Sequence, residues 1–175
     1  MIALKKTLAA LAVLVLLLST GCNASPAVPT APPTAPENFE STVTAAFDTL
    51  EITAVLTKEP SSYYTLDILT PEILEPLTLR YSDGNCSVEY DTLSFEANLA
   101  RFPQTEFGAF LTDALACVYD GIDIGTSYSD GIWKYTGTVN GSIFTLTQSA
   151  DSGEWLEFTL NDKLIHVVFS DFRIL

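Results

Sequence analysis

Apolar and polar residues alternate with a period of two over most of the chain after residue 38, a pattern typical of half-buried β-strands. The alternation runs from Phe39 to Phe47 and again from Leu50 to Leu56. A two-residue loop between these runs pairs Val43 with Ala54, and the apolar residues of both strands then fall on one face. A third strand is predicted at Tyr63–Thr70.

A hairpin is predicted at Asp83-Gly84, because this dipeptide favours the backbone angles of a type I′ turn. One face of the hairpin is apolar, through the predicted pairs Tyr81 with Cys86, Leu79 with Val88, and Leu77 with Tyr90. A short strand follows at residues 93–95.

The C-terminal part reads as a four-strand meander with turns at Asn140-Gly141, Asp151-Ser152-Gly153 and Asn161-Asp162. Alignment across all three turns places one set of apolar residues on a single face, which makes the meander self-consistent. The set is Tyr135, Phe144, Leu146, Leu156, Phe158, Ile165, Val167 and Phe169.

The periodicity changes to that of a helix after Pro103, and the segment from Tyr119 to Gly131 is predicted to be a loop. The apolar stripe of this helix consists of Phe107, Phe110, Leu111, Ala114, Leu115 and Val118. Antiparallel strands that are apolar on one face must bury that face against another element of the fold. The sequence therefore predicts an α+β domain that is mainly antiparallel β. Its sheet of about 8–10 strands would be strongly curved, as a half-barrel, with one amphipathic helix on its concave face.

The N-terminus has the layout of a secretory signal: Lys5 and Lys6 precede an apolar run, Leu8–Leu18, which is too short to span a bilayer. Small residues then lead to Cys22 and resemble the box read by bacterial lipoprotein signal peptidase, although Ser19 stands where leucine is usual. We predict a lipoprotein signal peptide at 1–21 and lipidation of Cys22. An ordinary secretory signal or an uncleaved membrane anchor is the alternative.

Residues 22–37 hold five of the nine prolines and are predicted to form an extended tether, with the folded domain at 38–175. Acyl chains on Cys22 would attach the domain to the membrane, on the extracytoplasmic face of a bacterial cell envelope. Loss of residues 1–21 removes two of the eight basic residues and none of the 22 acidic ones, which gives a net charge of −16. Such a charge argues against nucleic acid as a partner.

The stretch from Tyr64 to Ile68 and on through Pro71, followed by Leu77–Gly84, resembles the strand–proline–hairpin pattern of the LolA/LolB-like lipoprotein carriers. The resemblance implies a non-enzymatic protein that binds an acyl chain, or a lipoprotein through its acyl chains, between sheet and helix. The soluble carrier of that family has no lipid anchor, whereas this chain is predicted to carry one. The alternative is a module for interaction with another envelope protein, with a fully packed core; that partner is not identified by the sequence.

Nine residues could form the apolar lining of such a hollow, and a packed core would use the same residues. They are Tyr81, Tyr90, Phe107, Phe110, Leu111, Tyr135, Phe144, Phe158 and Phe169.

Cys86 and Cys117 could form a disulfide between sheet and helix, or remain as two buried thiols. His166 is expected to pair with Glu157 on the solvent side and not to serve as a catalytic base. Three loop acids, Asp120, Asp123 and Asp130, carry the oxygen atoms that calcium takes as ligands, but their spacing fits no EF-hand pattern, so solvated acids are the favoured interpretation. We therefore predict no metal site, no cofactor and no enzymatic activity.

Overall fold

A computed structural model describes residues 29–47, 49–60, 63–82, 84–97 and 103–175. The predicted signal peptide and Cys22 lie outside the described residues. One long helix, α1, spans Pro103–Asp120, and short 3₁₀ helices lie at Glu72–Leu74 and Asn161–Lys163. The strands are β1 (Phe39–Phe47), β2 (Leu50–Glu59), β3 (Tyr63–Thr70), β4 (Leu77–Ser82), β5 (Asn85–Tyr90), β6 (Leu93–Ala97), β7 (Gly125–Ser129), β8 (Ile132–Val139), β9 (Ser142–Ser149), β10 (Trp155–Leu160) and β11 (Ile165–Ile174).

All the strands belong to one antiparallel sheet with the order β6-β5-β4-β3-β2-β1-β11-β10-β9-β8-β7. The first and last strands are neighbours at its centre, and α1 connects the two edge strands, β6 and β7. The predicted fold class is therefore confirmed. Across the described residues the sheet has eleven strands, more than the predicted 8–10, because β7 lies inside the segment expected to be a loop.

The sheet wraps around α1. In its strand order β4 and β8 are seven positions apart, a separation of about 34 Å in a flat sheet at about 4.8 Å per strand. The helix is only about 10–12 Å wide, yet it contacts both strands. It also reaches the centre of the sheet, where Phe107 stacks on Phe47 of β1 with ring centroids 5.3 Å apart. Contacts on both flanks and at the centre require a curved sheet.

The strand registers predicted from the turns are largely confirmed. Val43 pairs with Ala54, and the β4–β5 hairpin pairs Tyr81 with Cys86. The Asn140-Gly141 turn has φ angles of 49° and 81°, as a type I′ turn requires, and in β8 and β9 buried residues alternate with exposed or half-buried ones.

One residue of the predicted apolar face, Leu156, was assigned to it wrongly. Trp155, and not Leu156, is the buried residue at the start of β10, because a bulge between Trp155 and Glu157 shifts the pairing with β9. Trp155 is 1% exposed, whereas Leu156 is half-buried. Opposite Trp155, the buried Gln148 accepts a hydrogen bond from the Tyr135 hydroxyl at 2.5 Å.

The last turn is longer than predicted. Leu160 pairs with Ile165, so four residues form the loop, and Leu164 closes it in the left-handed conformation at φ 54°. The pairing of β10 with β11 is therefore displaced by two residues from the predicted one, and an even displacement leaves each side chain on the face that was predicted for it. His166 lies opposite Thr159, and its imidazole contacts Glu157 diagonally.

The last residues of the predicted tether lie against the domain, in a compact unit that spans Ala31–Leu175. We call residues 33–37 the docked segment. The Pro36 carbonyl accepts a hydrogen bond from the Tyr119 hydroxyl at 2.6 Å, and the Glu37 carbonyl accepts one from Lys58 Nζ at 2.5 Å. The Lys58 ammonium also lies 4.5 Å from the centroid of the Tyr119 ring. The docked segment is thus fixed to the C-terminal end of α1.

Within the described residues, the structure contains no helix of the length and apolar character needed to cross a membrane.

Candidate functional site

Most of the predicted apolar lining fills the space beneath α1. Eight of the nine side chains are at most 7% exposed and pack in the hydrophobic core: Tyr81, Phe107, Phe110, Leu111, Tyr135, Phe144, Phe158 and Phe169. Their packing includes ring contacts such as Phe144 with Phe158, with centroids 6.3 Å apart. The ninth, Tyr90, is 45% exposed.

Tyr90 belongs to a partly exposed region of the inner sheet face, at the β6 edge. In the antiparallel register Leu93 lies opposite Tyr90, and Phe95 lies opposite the buried Val88, so all of them share the inner face. Leu93 is 65% exposed and Phe95 is 47% exposed. We call Tyr90, Leu93 and Phe95 the inner-face strip. The sequence pointed to Tyr90 alone, although the alternation through residues 93–95 would have identified the other two.

A separate pocket of about 410 Å³ lies along one flank of α1. We call it the helix-flank pocket. The helix contributes Thr112, Asp113, Ala116 and Asp120, while Tyr64 of β3 and Asn140 of the β8–β9 turn close it. The β4–β5 hairpin also borders it, so two hairpin tips that are distant in sheet order meet at one helix. Sequence reasoning did not find this pocket.

The helix-flank pocket is acidic. Asn140 Nδ2 donates a hydrogen bond to Asp113 Oδ2 at 3.2 Å. Burial raises the pKa of Asp113, and the bond from Asn140 partly opposes that effect. Burial likewise raises the pKa of Tyr64, and the charges of neighbours that include Asp120 and Asp113 raise it further. Among the described residues that line the pocket there is no lysine, arginine or histidine.

Cys86 and Cys117 are free cysteines, so the possible bridge is not formed. Cys86 is buried beside Tyr81, with which it shares a side-chain hydrogen bond. Cys117 instead borders a second pocket of about 340 Å³, with Val139 of β8. The two thiols therefore have different environments, and burial raises the pKa of both.

His166 is half-exposed on the outer face, where its side chain contacts Glu157. Asp120, Asp123 and Asp130 are exposed, and they do not converge on one point. Within the described ranges no group of three His, Cys, Asp or Glu side chains is placed to hold a metal ion.

No protein-family model matches the chain, and no curated protein matches it. Among solved structures, an uncharacterized conserved protein from Thermus thermophilus is similar with a TM-score of 0.51 and 13% identity, over 81% of this chain and 80% of that one. The likeness is one of fold.

Two weaker similarities are also found. A LolA superfamily protein from Nitrosomonas europaea has a TM-score of 0.39 and 9% identity, over 82% of this chain and 87% of that one. The protein PNGF-II has a TM-score of 0.37 and 10% identity, over 79% of this chain but only 28% of its own length.

Proposed function

We propose that this chain is a lipid-anchored, non-enzymatic protein of the bacterial envelope that binds an acyl chain against the inner-face strip, beside α1. The observation that carries the proposal is the exposure of Tyr90, Leu93 and Phe95 on a sheet face that is otherwise buried. Contiguous apolar surface on a concave face is typical of ligand-binding grooves.

The burial of an acyl chain would supply enough free energy for measurable binding. Each methylene removed from water contributes about 0.8 kcal/mol, so a chain that buries about ten methylenes would gain about 8 kcal/mol before the cost of ordering. A dissociation constant in the micromolar range or weaker follows. Such binding is reversible, as a carrier or a sensor of lipid requires.

Two features of the sequence support an acyl chain at a membrane surface as the ligand. The predicted acyl chains on Cys22 would hold the domain at a membrane surface, where lipid is concentrated. The resemblance of Tyr64–Pro71 and Leu77–Gly84 to the lipoprotein carriers supports an acyl chain as the ligand class.

A matched pair of substitutions tests the proposal. Leu93→Glu places a charge on the inner-face strip, and Ile143→Glu does the same on the outer face, at a residue that is also 65% exposed. In chain 23–175, titrated with a fluorescent fatty acid, Leu93→Glu should weaken binding at least tenfold while Ile143→Glu leaves it unchanged. Equal effects of the two variants, or no saturable binding by the parent chain, would refute the proposal.

The alternative, a protein-interaction module, is favoured by the position of β6. It is an edge strand of the described sheet, with β5 as its neighbour on one side, and it carries two residues of the inner-face strip. Crosslinking from position 96 in intact cells tests this reading. A discrete adduct with one envelope protein that Leu93→Glu abolishes, without any fatty-acid binding, would support it.

A further inference from the structure

The docked segment has the sequence pattern of a polyproline II ligand. The stretch Pro33-Thr34-Ala35-Pro36 places two prolines three residues apart, and a polyproline II helix has three residues per turn. Exposure follows the same period, because Ala31, Thr34 and Glu37 are exposed whereas the residues between them are half-buried. Every third residue thus faces solvent and the others face the domain, as expected for a polyproline II helix that lies on a surface.

Two side chains of the domain donate hydrogen bonds to successive main-chain carbonyls of the docked segment. The Tyr119 hydroxyl donates to Pro36 at 2.6 Å, and Lys58 Nζ donates to Glu37 at 2.5 Å. Proline has no main-chain N–H, and a polyproline II helix forms no internal hydrogen bonds, so its carbonyls are free to accept. The two donors therefore match the main chain of a proline-rich segment, whatever side chains it carries at these positions.

An aromatic ring and a glycine turn complete this contact. The Tyr119 ring packs edge-on against the buried Trp155, with centroids 6.3 Å apart, which fixes its position. Pro33 lies beside Gly153, where an added Cβ atom would be 3.9 Å from Pro33 Cβ. We call Lys58, Tyr119 and Gly153 the tether-binding surface.

We propose that the tether-binding surface recognises proline-rich segments, and that it binds an extended Pro-x-x-Pro segment of another protein in exchange for the docked segment. Segments of this kind dock on aromatic-lined surfaces, and their preformed helix lowers the entropy cost of binding. The docked segment shows that such a sequence fits. A second copy of the chain is a poor source, because only Asn38 separates its docked segment from its own β1.

The docked segment is an intramolecular competitor for this partner. A ligand linked to its site acts at an effective concentration on the order of millimolar, so a free peptide competes poorly with it. Weakening of the intramolecular contact should therefore increase the affinity for a peptide. The site does not depend on the acyl-chain proposal, since it shares no residue with the inner-face strip.

Fluorescence anisotropy with a labelled peptide of residues 29–37 tests the site. Chain 23–175 with Pro33→Ser and Pro36→Ser should bind the peptide about tenfold more tightly than the parent chain, because its own segment is displaced more easily. A peptide that carries the same two substitutions should bind at least tenfold more weakly to either chain. A peptide with Thr34→Ala, a change on the exposed side, is the matched control and should bind within twofold of the original.

A substitution in the surface itself separates recognition from charge. Lys58→Met removes the donor and should weaken peptide binding at least threefold in the Pro33→Ser, Pro36→Ser chain, with circular dichroism to show that the variant is folded. Lys134→Met removes the same charge at an exposed residue of β8 and should change binding less than twofold.

Three results would overturn the proposal. Equal effects of Lys58→Met and Lys134→Met would show that attraction between charges explains the binding. Equal binding of the original peptide and the peptide with Pro33→Ser and Pro36→Ser, or no saturable binding by either chain, would exclude recognition of the prolines. Concentration-dependent dimers of the parent chain that Pro33→Ser and Pro36→Ser abolish would assign the segment to a second copy, and not to another protein.

Discussion

Gly108 of α1 packs directly against Tyr81 of β4, and Gly108→Ala tests how tightly helix and sheet are fitted. A Cβ atom at position 108 would lie 2.6 Å from Tyr81 Cζ and 2.8 Å from Cε2, and it would also meet the hydroxyl. Carbon atoms in contact are ordinarily about 3.5–4.0 Å apart. Tyr81 is 3% exposed and shares a hydrogen bond with Cys86, so the ring has little freedom to withdraw.

Two opposing effects determine how much Gly108→Ala changes the free energy of unfolding. Overpacking in a well-filled core costs about 1–3 kcal/mol. Replacement of glycine by alanine inside a helix gains about 1 kcal/mol. We therefore expect Gly108→Ala to lower the free energy of unfolding by up to about 2 kcal/mol, which corresponds to a fall in Tm of several degrees for a chain of this size.

The same substitution should change sign when Tyr81 is replaced. In a Tyr81→Leu background the clash is absent, and Gly108→Ala should stabilise by up to about 1 kcal/mol. Urea unfolding of the four chains, followed by circular dichroism, measures the cycle. An identical effect of Gly108→Ala in both backgrounds would refute the claim that the helix approaches β4 this closely.

Four further outcomes follow from the geometry. Gly141→Ala should cost about 1 kcal/mol from the left-handed backbone alone, because its Cβ would meet no atom within 4 Å; an unchanged urea midpoint would contradict this. Tyr119→Phe removes the hydrogen bond to the docked segment and should lower stability by about 1 kcal/mol and speed proteolysis of that segment; equal cleavage of both chains would show that the bond does not hold it. Because the pKa of Asp113 is raised, the native state binds more protons than the unfolded state above the ordinary value of 3.8, so stability should fall as pH rises through that window. Asp113→Asn should flatten this part of the pH profile of unfolding, and an unchanged slope would exclude the effect. Cys86 and Cys117 should both be alkylated in denaturant without a reductant, and more slowly than free cysteine in the native state; a requirement for reductant would reveal a disulfide.

The hairpins were predictable because their turns and their apolar alternation agree. The Asn140-Gly141 turn fixes both the backbone type and the pairing, so the register of β8 with β9 follows from local sequence. The helix was equally predictable, because six apolar residues at helical spacing indicate an amphipathic helix.

The misses share a physical cause, which is that local periodicity does not encode tertiary context. β7 is an exposed edge strand with no buried residue, so it lacks alternation and reads as a loop. The bulge between Trp155 and Glu157 adds a residue to β10 that has no partner in β9, so Trp155 could not be placed from spacing alone. The helix-flank pocket is lined by two hairpin tips that are far apart in the sequence, and sheet curvature brings both to the same flank of α1, so no local stretch of sequence indicates it.

The pairing of β1 with β11 has a consequence for the folding of the domain. The first strand finds one of its two neighbours only in the last strand, and the Leu175 amide still donates to the Asn38 carbonyl at 3.2 Å. The centre of the sheet, where β1 and β11 pair, therefore cannot form until β11 has been synthesised. Such non-local closure is slow, on the order of milliseconds to seconds. Until β11 is available, β1 is hydrogen-bonded on one side alone, by β2, so the β1–β6 half of the sheet keeps an open edge at its centre.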